Sequence, residues 1–332
     1  MVSTTLRKID AAGTISTIAG TATTGFSGDG GHATAALLHT IFGIAIDQHG
    51  NIYICDRDNY RIRKIDLSGT ITTVAGTGIE TYNGDSIPAT TANIYLPYGI
   101  CVDALGNIYV SVSGNGGGLI RKINNAGIIT TIAGTPMAGI DECSGDGDLA
   151  TGARMKLARG TCRDDHGNIY VSDMRCQTVR KINTEGYIST ITGIANFYGF
   201  SGDGGPATDA KLYAPYGITM SGTGDMYICD HGNDRIRKIS GLSTAIQTVA
   251  ISNHLSLYPN PGSGHFNIHI PSTSNEEITV TITNVVGVVV KNLTAHTNTY
   301  TALDIDMQPG VYVLTAIGTN TAWRKTMIVA AK

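Results

Sequence analysis

The chain lacks a charge excess of either sign, a long apolar run and any cysteine pair at metal-binding spacing, and each lack removes a class of function. Lysine and arginine number 23 against 26 acidic residues, a net charge of −3, so no broad basic field is offered to nucleic acid. No stretch reaches the ~18 consecutive apolar residues of a membrane-spanning helix. The opening residues, MVSTTLRKID, hold no apolar core of an export signal. The six cysteines, Cys55, Cys101, Cys143, Cys162, Cys176 and Cys229, form no CxxC and no zinc-ligand spacing. Cys55 and Cys229 share the tetrapeptide YICD, and Cys101 and Cys162 follow GI and GT, which reads as small apolar packing on strands. Charged residues are only 15% of the chain, against 42 glycines, a balance that suits short strands and tight turns rather than helices. An almost all-β protein is expected.

What the chain has in abundance is repetition. Arg-Lys-Ile recurs at Arg7, Arg63, Arg121, Arg180 and Arg237, in steps of 56, 58, 59 and 57 residues, the period of a repeat architecture. The clearest copy runs from Gly43 to Gly76 and predicts four strands, Gly43–Asp47, Asn51–Asp56, Arg61–Asp66 and Thr70–Ala75, separated by Gly, Asn, Asp or Ser turns. Full copies begin near Gly43, Gly99, Gly160 and Gly217, the last ending in a worn QTVA, and Leu6 to Ala19 supplies half a copy with only the third and fourth strands. A four-stranded antiparallel sheet cannot bury both faces alone, so the copies are expected to stack radially as the blades of a β-propeller.

The pattern GI-x-x-D-x-x-GNIY-x-x-D-x-x-N-x-RI-x-K, carried from about Leu6 to Ala250, resembles the NHL repeat. The resemblance implies a propeller of four full NHL-type blades plus an N-terminal half blade. It leaves activity open, because such propellers include RNA binders, adhesion and sensor domains, and enzymes.

Near Ala250 the period stops. Residues 1–250 are assigned to the propeller, 251–254 to a linker and 255–332 to a small Ig-like β-sandwich with strands at Phe266–Ile270, Ile278–Thr283, Val288–Asn292, Val311–Ala316 and Lys325–Val329. Its ordered motifs are Tyr258-Pro259-Asn260-Pro261, Thr283-Asn284-Val285-Val286-Gly287, Pro309-Gly310-Val311-Tyr312, and Lys325 to Val329. Together they resemble the C-terminal sorting domain of the bacterial type IX secretion system. The resemblance implies that the secretion machinery is a partner and that the protein is secreted or held on the cell surface, at the outer-membrane exterior. The missing export signal and the half blade lie at the same end, which leads to the expectation of an upstream truncation and a full ring of six blades. The competing arrangement is a compact five-fold ring that uses the two N-terminal strands as they stand. Export also makes a disulfide between Cys143 and Cys176 the expectation, since both lie in irregular loops of one blade.

Between blades lies a repeated insertion, GDG or GDS followed by Ala-Thr, expected on the same face of the propeller as the loops between second and third strands. Its aspartates, Asp29, Asp85, Asp146 and Asp203, are the candidates for a polar ligand or a cation. One carboxylate per loop is thin for a hard cation such as calcium, so an Asx-type turn is the expected role. Asp56, Asp173 and Asp230, with Asn59, Asn233, Arg61 and Arg235, are expected to fasten the hairpin loop within each blade, with Val112 replacing the aspartate in the second copy. The arginines of Arg-Lys-Ile are expected to pair between blades near the rim rather than to bind RNA. No catalytic residue, resident metal or cofactor is assigned. Only His49 and His166 share a position among the nine histidines, and the first-strand aspartates Asp47, Asp103 and Asp164 are the only repeated acidic candidates for a channel site. The expected function is a binding or adhesion module for a glycan, protein or other surface ligand. The alternative is a lactonase- or lyase-like enzyme with a metal in the central channel.

Overall fold

The computed structural model describes residues 3–114, 117–136, 142–242, 250–252, 255–271, 275, 277–284, 289–304, 306–317 and 321–330. Gln247 to Val249 of the worn fourth strand, His254, the Val285–Gly287 part of the sorting motif and Val288 lie outside the described residues. The chain divides into two compact units, Met1–Ser243 and Thr244–Lys332.

In the first unit the half blade is β1 (Leu6–Ile9) and β2 (Ile15–Ala19), paired only with each other. The first full blade is β3 (Ile41–Ile46), β4 (Ile52–Asp56), β5 (Arg61–Ile65) and β6 (Ile71–Ala75). The second is β7 (Ile87–Pro88), β8 (Leu96–Val102), β9 (Ile108–Gly114), β10 (Gly117–Ile123) and β11 (Ile128–Ala133), with the short β7 paired to the outer edge of β11. The third is β12 (Ala158–Arg163), β13 (Ile169–Asp173), β14 (Thr178–Ile182) and β15 (Ile188–Thr192), and the fourth is β16 (Pro215–Met220), β17 (Met226–Asp230) and β18 (Arg235–Ile239). Each sheet is an antiparallel meander, which makes this unit an NHL-type β-propeller.

The cores lie between blades. Ile62 and Ala75 of the first full blade meet Ile100, Val110 and Leu119 of the second, with Ala89, Ala92 and Ile94 of the intervening insertion wedged among them. The innermost strands β3, β8, β12 and β16 stand side by side because each carries a glycine at its point of closest approach. A Cβ at Gly43 would lie 2.2 Å from the Tyr98 carbonyl oxygen, one at Gly99 2.4 Å from that of Arg159, and one at Gly160 2.5 Å from that of Tyr216. In the fourth blade, among the described residues, Ile236 is 65% exposed where its counterpart Ile62 is 0%.

The insertions do not rise freely from the face. The first three run along the outer strand of the blade that follows them: Gly30 N–H donates to Ile71 O, Ile71 N–H to Gly31 O, β7 pairs with Ile128 and Ile129, and Gly147 N–H donates to Ile188 O. A fourth strand otherwise presents a row of unpaired backbone groups, and the insertion satisfies them. The Ala-Thr segments form single 3₁₀ turns at Ala33–Ala35, Ala89–Thr91, Ala150–Gly152 and Ala207–Asp209.

The second unit has two sheets. One contains β19 (Ala250–Ser252), β22 (Glu277–Asn284), β23 (Val289–His296), β25 (Gly310–Ile317) and β26 (Thr321–Val329); the other contains β20 (Ser256–Tyr258), β21 (His265–His269) and β24 (Tyr300–Asp304). Phe266, Ile268 and Leu303 from one sheet and Val280, Ile282, Leu314 and Trp323 from the other share one core. Residues 251 and 252, expected in a linker, and Ala250, expected in the propeller, instead form β19, which pairs in parallel with Thr321–Trp323. That pairing spans the whole second unit, so no local pattern announces it.

Candidate binding site at the channel mouth

The repeated loop aspartates meet the arginines of Arg-Lys-Ile. Asp29 Oδ1 lies 2.7 Å from Arg63 Nη2, and its other oxygen accepts from Thr73 Oγ1 at 2.7 Å. Asp85 pairs with Arg121 at 3.1 Å and accepts from Thr131 Oγ1 at 3.0 Å. Asp146 pairs with Arg180 at 2.5 Å and accepts from Thr190 N–H at 3.0 Å, and Asp203 pairs with Arg237 at 2.5 Å. The carboxylates thus reach the third and fourth strands of the blade. Arg63 is 0% exposed rather than at the rim, and a buried guanidinium requires a counter-charge.

The fasteners complete that arrangement. Asp56 accepts from His39 N–H at 2.7 Å, Asn59 Nδ2 at 2.8 Å and Arg63 Nη1 at 3.3 Å. Asp230 repeats this with Tyr213 N–H, Asn233 and Arg237 at 2.7, 2.7 and 3.4 Å. Asp173 takes the backbone N–H groups of Lys156, Leu157 and Cys176. Burial raises the Asp56 and Asp173 carboxyls above the ordinary range, against the pull of these donors. Asn59 and Asn233 each donate to the preceding insertion, at Gly25 O and Gly199 O. Arg61 reaches Asn59 O and Thr77 O, and Arg235 reaches Asn233 O.

Cys143 and Cys176 form a disulfide with a Cα separation of 5.9 Å. Asp173 lies beside the two sulfurs, which are already committed to each other. Cys143 occupies the position of Phe26, Tyr82 and Phe200, whose rings cover Arg63, Arg121 and Arg237 at 4.9, 5.0 and 4.9 Å.

Asp47, Asp103 and Asp164 sit in the turns after the first strands, away from the loops that carry Asp56 and Asn59. Burial alone would raise their carboxyls. The side-chain and backbone donors of Asn51, Asn107 and Asn168, with the hydroxyls of Tyr53, Tyr109 and Tyr170, hold them below the usual range instead.

The feature that sequence reasoning missed lies at the end of the channel where the loops between second and third strands gather. The residue before the first-strand glycine is Phe42, Tyr98, Arg159 and Tyr216 in the four copies, and all four line one cavity of about 280 Å³. Phe42 stands edge-on to Tyr98, with centroids 4.9 Å apart, and 5.7 Å from Tyr216. Tyr216 stacks near His231 at 5.4 Å. The Arg159 guanidinium lies 3.6 Å from the Tyr98 centroid, 5.2 Å from that of Tyr216 and 5.9 Å from that of Phe42. Arg57, from the loop after β4, adds a second cation, 5.0 Å from the Tyr98 centroid and 3.1 Å from its hydroxyl, and is itself paired with Asp58 at 2.7 Å. Arg159 has no such partner among the described residues, where its Nε and Nη1 are buried and unbonded. Burial holds its guanidinium below the usual arginine range, with Tyr98 and Tyr216 opposing and the cations Arg57 and Arg175 reinforcing the shift. An arginine nonetheless stays charged. The signal available in the sequence was a large planar side chain before glycine in every copy: Phe42-Gly43, Tyr98-Gly99, Arg159-Gly160 and Tyr216-Gly217.

Comparison with known proteins agrees with this architecture. The family model for a teneurin NHL domain matches residues 21–83, and that for a secretion system C-terminal sorting domain matches residues 256–330. Teneurin-1 of Gallus gallus is 33% identical over 234 residues, which cover 64% of this chain and 8% of that protein. Teneurin-1 of Mus musculus is 31% identical over 252 residues, 70% of this chain and 9% of that protein. The chain therefore spans less than a tenth of the length of these relatives. A crystal structure of a Bacteroides thetaiotaomicron protein of unknown function covers 70% of this chain and 53% of its own with a TM-score of 0.51 and 20% identity, a likeness of fold. The chain is an NHL-repeat β-propeller joined to a type IX secretion system C-terminal sorting domain. The sorting domain marks the protein as secreted or cell-surface and as a client of that secretion machinery. No helix among the described residues is long and apolar enough to cross a membrane.

Within the sorting domain, Asn260 closes a clasp: its amide donates to Thr326 O at 2.8 Å and its oxygen accepts from Ile328 N–H at 2.8 Å. Tyr258 is exposed beside it in β20, and Pro259 and Pro261 flank the clasp. Gly310 opens β25, Tyr312 packs on the core and donates its hydroxyl to Gln308 O, and Lys325 lies opposite Leu314 in β26.

Proposed function

We propose that the propeller is the ligand-binding part of an exported protein and that its binding site is the channel mouth rather than the insertion loops. The observation that supports this most is the convergence of Phe42, Tyr98, Arg159 and Tyr216, one from each copy, around a single cavity. A pocket walled by aromatic rings with a few oriented polar groups is the usual form of a small-ligand site. At about 280 Å³ it admits a small molecule or one unit of a longer one. Its described lining residues offer no carboxylate, and the imidazole beside them, His231, stands against Tyr216 as a further ring face. The sorting domain delivers the propeller to the outer-membrane exterior, where a surface or extracellular ligand is met. A binding screen of glycans and proteins against the full chain, repeated with Phe42→Ala/Tyr216→Ala, tests the reading. A ligand whose affinity falls at least tenfold in the variant is expected. A ligand that binds the variant equally, or specific turnover of a lactone panel, would overturn it.

A further inference from the structure

Every third-strand arginine in the full blades is paired with an aspartate, and Arg63, Arg121 and Arg180 are buried. Three of them, Arg63, Arg121 and Arg237, are also covered by an aromatic ring. Arg159 reproduces the aromatic half of this arrangement with three rings and lacks the carboxylate. The nearby acid, Asp58, is already engaged by Arg57 and by the Thr40 hydroxyl. Among the described residues the mouth therefore carries more cation than anion, and Arg159, only partly buried, lines the cavity beside the ring faces. Resting on the binding reading above, we propose that the channel mouth recognises an acidic sugar residue, whose carboxylate completes Arg159 as the aspartates complete its counterparts. A guanidinium that lines a cavity offers a carboxylate charge-assisted N–H donors. The tilted rings of Phe42, Tyr216 and His231, at interplanar angles of 39° and 33°, offer flat surfaces to the C–H faces of a pyranose ring. An extended acidic peptide would leave those faces uncovered.

The test is calorimetric titration of the full chain with galacturonate, glucuronate, mannuronate and sialate oligosaccharides, each beside its carboxyl-reduced counterpart. At least one acidic oligosaccharide is expected to bind at least tenfold more tightly than its reduced form, with affinity falling as salt is raised. Arg159→Met should abolish the difference and Arg159→Lys should keep part of it. The salt series on the unaltered chain reads the charge requirement even if a variant folds poorly. Equal binding of acidic and reduced forms would overturn this inference while leaving a glycan-binding channel mouth intact. Binding of an acidic peptide but of no oligosaccharide would overturn the ligand class. Failure of every probe, together with a screen in which no ligand depends on Phe42 and Tyr216, would remove the binding reading as well.

Discussion

Two kinds of wholly or partly buried arginine stand in this propeller, and they differ in how their charge is met. Arg63, Arg121, Arg180 and Arg237 have their counter-charge within the chain, while Arg159 has none among the described residues. Removing a charge from water costs several kcal/mol unless a partner offsets it. The fold supplies that partner four times through the inter-blade insertions, so the insertions are scaffold: they close the outer edge and neutralise the third strand. Arg159 is only partly buried and finds no carboxylate among the described residues, so its charge is left for a ligand to meet. The contrast separates what holds the propeller together from what the propeller presents.

The contrast can be broken most severely in the second full blade, where Val112 stands in place of the second aspartate and Asp85 is the one carboxylate paired with Arg121 among the described residues. Asp85→Ala is expected to cost about 3 kcal/mol, read as a shift in the denaturant midpoint. Asp29→Ala should cost less, about 1 kcal/mol, because Asp56 still holds Arg63. In the third blade a disulfide replaces the covering ring. Reducing Cys143–Cys176 should destabilise by about 4 kcal/mol, the expectation for a closed loop of this length. A smaller effect comes from pH. The folded-state carboxyl of Asp103 is held below its ordinary value of 3.8, so its contribution is fully present above that pH and is lost as pH falls through the lowered value. Unfolding between pH 5 and 2 should therefore steepen, and Asp103→Asn should flatten the curve. An unchanged slope in the variant would remove Asp103 from the account.

Much of this was legible in the sequence because it is local or repeated. The blade strands follow from alternating residues between glycine turns, and the sorting domain follows from Tyr258 to Pro261 and Gly310 to Tyr312 in order. The Cys143–Cys176 disulfide followed from two loop cysteines in one blade and the export that the sorting domain implies. The partner of Asp29 was not legible, because Arg63 is 34 residues away in sequence and only the return of the insertion along β6 brings them together. The parallel pairing of β19 with β26 was hidden for the same reason. The channel mouth was missed on different grounds. A repeat is recognised by what stays constant, and Phe42, Tyr98, Arg159 and Tyr216 hold a constant place with changing identity. Function in a repeat protein is carried by such positions, because a site built from copies becomes specific where the copies differ.

The most direct test compares Arg159→Met with Arg121→Met in the full chain by equilibrium denaturation. If Arg159 has no partner in the protein, its replacement by an apolar side chain of similar length leaves stability within about 0.5 kcal/mol of the parent or raises it. Arg121→Met, which strips Asp85 and Gly84 O of their donor, should cost about 2 kcal/mol. Equal losses in the two variants would contradict the account, because Arg159 would then be one more fastener.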